Sequence, residues 1–285
     1  MNIQNAKHFQ IIKDHSVSKE TFELLYDPDL DLVFTHPQPT EEKLPSYYDS
    51  PDYISHTDGK RSLFEKMYQI VKNSALKSKL KLINSESEKG TLLDIGAGTG
   101  DFLSVLKDNG WQITGIEPNE KAKTMAVSKG ITFADSLEGL QNSSFDVITM
   151  WHVLEHVPDV EKQISELKRL LKPNGTIFIA VPNFNSFDAN YYGHFWAAFD
   201  VPRHLWHFSK TAIKKLFAIQ NLELVKIIPM KFDSFYVSLL SEKYKTGKMN
   251  FIKAFFIGLK SNRYGKQNSE YSSHIYVIKN SKSDN

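Results

Sequence analysis

Apolar positions along the chain change their spacing several times. Over residues 61–83, Leu63, Met67, Ile70, Val71, Leu80 and Ile83 recur near a 3.6-residue period, which predicts a helix. A polar connector, 84–90, follows. Short apolar runs then alternate with amphipathic ones. Strands are predicted at 91–95, 111–117, 131–134, 145–151, 176–181 and 222–228, and helices at 101–109, 119–129, 159–172 and 209–220. Gly110, Gly130 and the Pro173-Asn174-Gly175 turn close three of these helices. Repeated strand–helix–strand units of this length predict an α/β fold with a doubly wound parallel sheet and right-handed crossovers. Ligands of such sheets sit outside the carboxyl ends of the strands. Ahead of this region, two β-like stretches (8–13 and 32–35) precede a turn-rich segment, 36–50, holding Pro37, Pro39 and Pro45.

Composition narrows the chemistry. The 285 residues include no cysteine, which removes disulfides, thiolate nucleophiles, cysteine zinc sites and iron–sulfur clusters together. Lys and Arg number 35 against 33 Asp and Glu, so a net charge of +2 gives no reason to expect nucleic acid. That balance is uneven along the chain: from Val201 onward there are 15 Lys/Arg and five Asp/Glu. The longest clean apolar run, 254–259, falls far short of the ~18 residues that span a bilayer. The first ten residues carry no apolar leader segment. A soluble, cytoplasmic protein is expected.

The first strand of the alternating region runs into Asp94-Ile95-Gly96-Ala97-Gly98-Thr99-Gly100, and a helix follows. Glycines allow a sharp turn and close approach of a ligand to backbone. The next strand ends at Glu117, placed to accept hydrogen bonds from ribose hydroxyls. Two cofactors compete for this arrangement. A dinucleotide fingerprint needs Gly or Ala at the sixth position from Gly96, yet Asp101 stands there and would repel a pyrophosphate at the helix head. An acid at Asp94 instead suits a cofactor that carries an ammonium, and S-adenosylmethionine carries one.

Five segments in order, LLDIGAGTG (92–100), GIEPN (115–119), ADS (134–136), FDVITMWHVLEHVPD (145–159) and LLKPNGTIFIAVPN (170–183), resemble the class I S-adenosylmethionine-dependent methyltransferases. The branch containing the ubiquinone-biosynthesis O-methyltransferase is the best match. The resemblance implies a Rossmann-like, doubly wound sheet of seven strands with the last antiparallel, and 272–278 fits that last strand. It implies S-adenosylmethionine as cofactor and S-adenosylhomocysteine as product. Gly96, Ala97, Gly98 and Gly100 would cradle the methionine part and Asp94 would orient its amino group. Glu117, followed by Pro118, would take the ribose, Asp135 and Ser136 would lie beside adenine, and Trp151 would face the methionine part.

His152-Val153-Leu154-Glu155-His156 also fits a zinc-protease pattern, H-x-x-E-H. That reading needs both histidines on one helix, whereas this segment follows a buried strand, so it is rejected. The ubiquinone enzymes carry an acid where His152 stands and can hold a divalent metal there. Because His152 departs from that pattern, no metal site is assigned, and a metal near Glu155 and His156 stays an open alternative. After the fifth strand, 183–208 holds nine aromatics with His194, His204 and His207, and Pro202 to Phe208 resembles the PRHLxHF signature of an uncharacterised methyltransferase group. His156 and His204 are the expected general-base candidates, and Trp196, Arg203 and His207 the expected substrate contacts. Arg203 is read as a partner for a carboxylate or phosphate.

Residues 22–39 resemble the second half of a small zinc ribbon, with Asp27 and Leu30 where its two cysteines would stand. The expected organisation is a degenerate ribbon-like segment (1–45), a helical cap (46–89) and a methyltransferase domain (90–285) with an aromatic insert (183–208) and a C-terminal helical segment (232–262). The expected activity is in-line methyl transfer to an oxygen, carbon or nitrogen of a small or lipid-linked metabolite. A methyltransferase of nucleotide-linked sugars and a cofactor-binding protein without transfer activity are the alternatives. A monomer or homodimer is expected, with the 232–262 helices packed over the sheet in preference to touching a membrane.

Overall fold

A computed structural model of the chain describes residues 5–40, 42–48 and 63–281. Residues 49–62, part of the expected helical cap, lie outside that set. Ten strands fall into two sheets. The larger contains β4 (Thr91–Ile95), β5 (Gln112–Ile116), β6 (Phe145–Trp151), β7 (Leu171–Pro182), β9 (Leu222–Pro229) and β10 (Ser273–Asn280), in the order β5-β4-β6-β7-β10-β9. β4 to β7 pair in parallel, and β10 runs antiparallel to both its neighbours. This is the Rossmann-like sheet with its last strand reversed.

The sheet has six strands, not seven. Residues 131–134 reach its edge only as a bridge between Phe133 and Gly115. Two hydrogen bonds, Gly115 N to Thr132 O and Ala134 N to Gly115 O, hold it, and a segment this short extends no further ladder. At the other correction, the helix expected to reach 172 stops at Leu170, and β7 starts at once with Leu171 paired to Phe145.

Helices cover both faces, so central strands are apolar on both sides. Along β7, Ile177, Ile179 and Val181 join one apolar layer with α4 (Val160–Leu170) and α6 (Lys210–Ile219). Phe178 and Ala180 join the opposite layer with α1 (Leu63–Glu86), α2 (Asp101–Asp108) and α3 (Glu120–Ser128). α1 is anchored where Lys72 meets Asp101 at 2.6 Å and Trp111 Nε1 donates to Asn84 at 3.0 Å.

The smaller sheet is antiparallel: β1 (Lys7–Lys13), β2 (Thr21–Asp27), β3 (Leu32–His36) and β8 (Trp206–Phe208). β2 had no signature in the hydrophobic pattern. Its hairpin with β3 is closed by the buried Asp27 carboxylate, which accepts from the backbone N–H groups of Asp29 and Leu30. β8 comes from the aromatic insert, so the N-terminal hairpin and the insert share one sheet.

A buried ion cluster locks that union. Arg203, 1% exposed, meets Asp14 at 3.0 Å and Asp200 at 2.7 Å, and also donates to the Tyr47 carbonyl. Asp14 accepts from the backbone of Ser16, Val17 and Ser18. Burial opposes its ionisation, but the Arg203 guanidinium and these N–H groups hold its carboxyl well below the usual range. Removing one member of a buried ionic group leaves uncompensated charge, at about 3–5 kcal/mol. Arg203→Met is therefore expected to lower unfolding free energy by about that amount in urea titrations followed by circular dichroism. An unchanged midpoint would show that the cluster does not hold the two parts together.

Candidate active site and cofactor cleft

The loop after β4 is fixed from below, where Gly96 N and Ala97 N both donate to the Ile116 carbonyl at the end of β5. Gly96 takes φ +74°, and a Cβ there would lie 2.3 Å from Val153. Gly98, at φ +54°, would meet nothing within 4 Å. The first glycine is thus required by packing, while the second faces open space beside the cleft. Gly98 N donates to Glu117 Oε2 at 2.7 Å, and Asn119 N donates to Oε1 at 2.8 Å. A carboxylate has about four lone-pair sites, so Glu117 keeps acceptor capacity for a ligand. Asp101, read as repelling phosphate, is paired with Lys72 and Lys129, each at 2.6 Å.

Asp94 is 2% exposed, and its carboxylate accepts from the Thr149 hydroxyl. Burial pushes it up from 3.8 to about 7, with Thr149 and Lys79 opposing and Glu117 adding to the rise. A buried acid held half-neutral wants a cation. Lys79 of α1, which the sequence reading missed, supplies part of one. Its Nζ lies 4.1 Å from the Trp151 ring centroid and 5.5 Å from that of Phe102. Desolvation draws Lys79 down to about 8 against the pull of Asp94 and Asp233. Trp151 Nε1 is buried without a partner. On the outer rim, Pro118, Asp135 and Ser136 are exposed.

The turn after β6 carries the second group of side chains. His152, at φ +57°, sits between two carboxylates: Nδ1 is 3.3 Å from Glu155 and Nε2 is 3.1 Å from Asp233. Desolvation works against its charge, but Asp233 and Glu155 win and lift it to about 10. His152 is an imidazolium at neutral pH and cannot serve as a base. His156 is the opposite case. Desolvation, with His204 adding, brings it down to about 4. Its Nδ1 lies 3.0 Å from the Arg203 carbonyl, and the Nδ1 of His204 lies 2.8 Å from the Ala198 carbonyl. Carbonyls only accept, so each Nδ1 carries a proton, and the Tyr48 hydroxyl also lies 3.0 Å from the Nδ1 of His156. With its range lowered, His156 keeps its Nε2 as a lone pair.

These two rings meet edge to face with centroids 4.5 Å apart. One donor atom each from Glu155, His156 and His204 lie within 4.8 Å of one another. Glu155 is fully buried, and its Oε2 has no hydrogen-bond partner. Three converging polar side chains, one with an orphaned carboxylate oxygen, fit a shared proton or a divalent cation. His156 and His204 were read from the sequence, but only the fold shows that the insert delivers His204 here.

The other insert residues are committed elsewhere. Trp196 is buried and donates from Nε1 to Asp188 at 2.8 Å. His207 is buried with Nε2 3.3 Å from the Thr35 hydroxyl. Arg203 belongs to the ion cluster above. In place of the expected substrate contacts, the structure shows core groups, and Arg203 offers no free guanidinium to a phosphate.

A family model described as a methyltransferase domain matches residues 66–227. The chain belongs to that family. Ubiquinone biosynthesis O-methyltransferases are similar to this methyltransferase-family chain over about a third of its length. That of Saccharophagus degradans is 35% identical over 104 residues, 33% of this chain and 44% of the relative. That of Haemophilus ducreyi is 36% identical over 106 residues, 32% of this chain and 45% of the relative. The chain thus spans less than half the length of these relatives. In fold, it superimposes on magnesium protoporphyrin IX methyltransferase from Synechocystis with a TM-score of 0.56 at 13% identity, covering 85% of this chain and 100% of that one. A SAM-dependent methyltransferase of Thermotoga maritima gives 0.53 at 21% identity, covering 76% and 95%. The cofactor of the family is S-adenosylmethionine, and the cleft presents two acids, Asp94 and Glu117, with the open Gly98 between them.

The Asp94 shift has a sign that can be measured. The carboxyl must ionise to pair with an ammonium, and below about pH 7 it is mostly neutral. S-adenosylhomocysteine affinity by calorimetry should therefore weaken roughly tenfold from pH 7.5 to pH 6, as the competent fraction falls. Asp94→Asn should bind weakly and lose this dependence. A flat profile in the native protein would contradict the role given to Asp94.

Proposed function

We propose that the chain transfers the methyl group of S-adenosylmethionine to an oxygen of a small or lipid-linked acceptor, with His156 as the general base. One observation carries this reading: a neutral imidazole with a free Nε2, packed against the ring of His204, at the end of the strand whose Trp151 borders the cofactor cleft. In the proposed complex, Asp94 pairs with the amino group, Glu117 with the ribose hydroxyls, and Asp135 and Ser136 flank the adenine.

The sulfonium is already a leaving group, so no covalent enzyme intermediate is needed. The protein's part is to align acceptor and methyl, where orientation is worth up to about 7–11 kcal/mol. Proton removal at His156 Nε2 adds up to about 10²–10⁴-fold, and less while burial keeps the ring near 4, because transfer is most efficient when the base matches the working pH. With its ordinary range lowered to about 4, His156 is neutral at every physiological pH, so its state does not limit the rate there. Glu155 and His204 hold the far side of the acceptor proton. These same three residues would seat a divalent cation, which when bound acidifies a hydroxyl beside it. An oxygen acceptor agrees with the O-methyltransferase relatives. The commitment of Arg203 to Asp14 and Asp200 removes the main argument for a nucleotide-linked sugar.

The test uses S-adenosylmethionine with a radiolabelled methyl group, incubated with the protein and either a lipid extract or the aqueous metabolites of a bacterial cell. Label should enter one fraction, and His156→Gln should cut the rate about a hundredfold or more with S-adenosylhomocysteine affinity unchanged. No transfer to either fraction would support a cofactor-binding protein instead. Full activity in His156→Gln would overturn the base assignment.

A further inference from the structure

The helical hairpin of α7 (Asp233–Thr246) and α8 (Phe251–Asn268) is built inside out. The inward face of α8 is Ala254, Ile257, Gly258, Ser261 and Gly265, all buried, so small side chains fill most of it. That of α7 includes Ser234, Ser238 and Ser241, also buried. These small residues do identifiable jobs. Ser261 Oγ donates to Asp188 at 2.6 Å, Ser241 Oγ accepts from Ala197 N at 2.9 Å, and Ser234 Oγ reaches the Gly258 carbonyl at 3.3 Å. They bind the hairpin to the aromatic insert and bring its two helices close together.

Most of the large apolar side chains of α8 face outward. Ile252, Phe255, Phe256 and Leu259 are between 43% and 74% exposed. At 3.6 residues per turn they fall within an arc of about 100°, opposite the buried set. Phe232, just before α7, is 61% exposed. Contiguous apolar surface of this kind marks an interaction site in a soluble protein. Its surroundings are basic. Lys248, Lys260, Arg263 and Lys266 are exposed before, beside and after the apolar arc. Residues 231–268 contain only two acids, Asp233 and Glu242. Asp233 meets His152 at 3.1 Å, and the buried Glu242 meets Lys253 at 3.2 Å.

We propose that the outer face of α8, with Phe232, docks onto an anionic lipid surface. Aromatic and aliphatic side chains would enter the headgroup boundary and the four cations would contact lipid phosphates, the arrangement of an interfacial helix. No described helix is long and apolar enough to cross a membrane, so the hairpin lies on the bilayer and does not span it. The Asp233–His152 contact places the start of this hairpin at the turn that carries Glu155 and His156. A lipid-linked acceptor would then meet the site from the membrane side. That last step rests on the proposed lipid-linked substrate, whereas docking is measured without any substrate, so either can fail alone.

The full chain is co-sedimented with vesicles of phosphatidylcholine alone and of phosphatidylcholine with phosphatidylglycerol, and its mass in solution is measured by light scattering. The native protein should pellet with the anionic vesicles and be released by salt. Ile252→Glu combined with Phe256→Glu should abolish pelleting while keeping the melting temperature and S-adenosylhomocysteine affinity. Lys260→Glu combined with Arg263→Glu should weaken it about fivefold or more per charge. Failure to pellet with either vesicle, or equal pelleting of the Ile252→Glu, Phe256→Glu protein, would overturn the proposal. So would a native dimer that this double substitution dissociates in the absence of vesicles, since the face would then belong to a second copy of the chain.

Discussion

The position of one arginine controls much of this molecule. Arg203 lies between Asp14 of the N-terminal segment and Asp200 of the insert, and it holds the stretch 203–206 in place. That stretch is bonded in two directions. Towards the N-terminus, Thr35 N donates to the Leu205 carbonyl and the Thr35 hydroxyl to the His204 carbonyl. Towards the large sheet, Leu205 N donates to the Glu155 carbonyl, Trp206 Nε1 to the Val157 carbonyl, and His156 Nδ1 to the Arg203 carbonyl. The ring of His204 is thereby carried to His156. Buried ion groups often add little net stability compared with apolar replacements, and their use lies more in fixing one arrangement. Here the fixed arrangement is the pairing of two imidazoles from segments about fifty residues apart in sequence.

Charge is partitioned along the carboxyl edge of the sheet. Asp94, poorly solvated and bordered by Lys79, is prepared for a cation. His152 is a fixed cation held by Asp233 and Glu155. Beyond it, His156 stays neutral because the same desolvation acts there without a hydrogen-bonded acid to offset it. Three titratable groups within a few residues of two strand ends thus take three different states, set by their neighbours and not by residue type. One edge thus carries a buried acid and a neutral imidazole with a fixed cation between them.

Local motifs were legible in the sequence, and distant pairings were not. Asp94, Gly98 and Glu117 form a compact strand–loop–helix unit whose spacing reports its chemistry directly. Arg203 was misread as a ligand contact because its partner Asp14 stands 189 residues away and has no motif of its own. Strand β2 went unseen because its burial follows from pairing with both β1 and β3. Lys79 sits on a helix that the periodicity predicted, but nothing in that pattern shows that it reaches Trp151. The α7–α8 hairpin is the most instructive case. Amphipathic runs such as 251–257 mark a helix with two faces, yet periodicity cannot tell which face turns inward. Burial of Ala254, Gly258 and Ser261 against a serine-lined partner helix decided that.

The central claim is that the glycine loop and Asp94 form a seat for an ammonium-bearing nucleoside and not for a dinucleotide pyrophosphate. Thermal unfolding of the native chain with S-adenosylhomocysteine or with NAD tests it most directly. Ligand at about a hundred times its dissociation constant stabilises a fold by about 2.7 kcal/mol, enough to move a melting temperature by several degrees. The account predicts a rise with S-adenosylhomocysteine and none with NAD. A rise with NAD alone would contradict it.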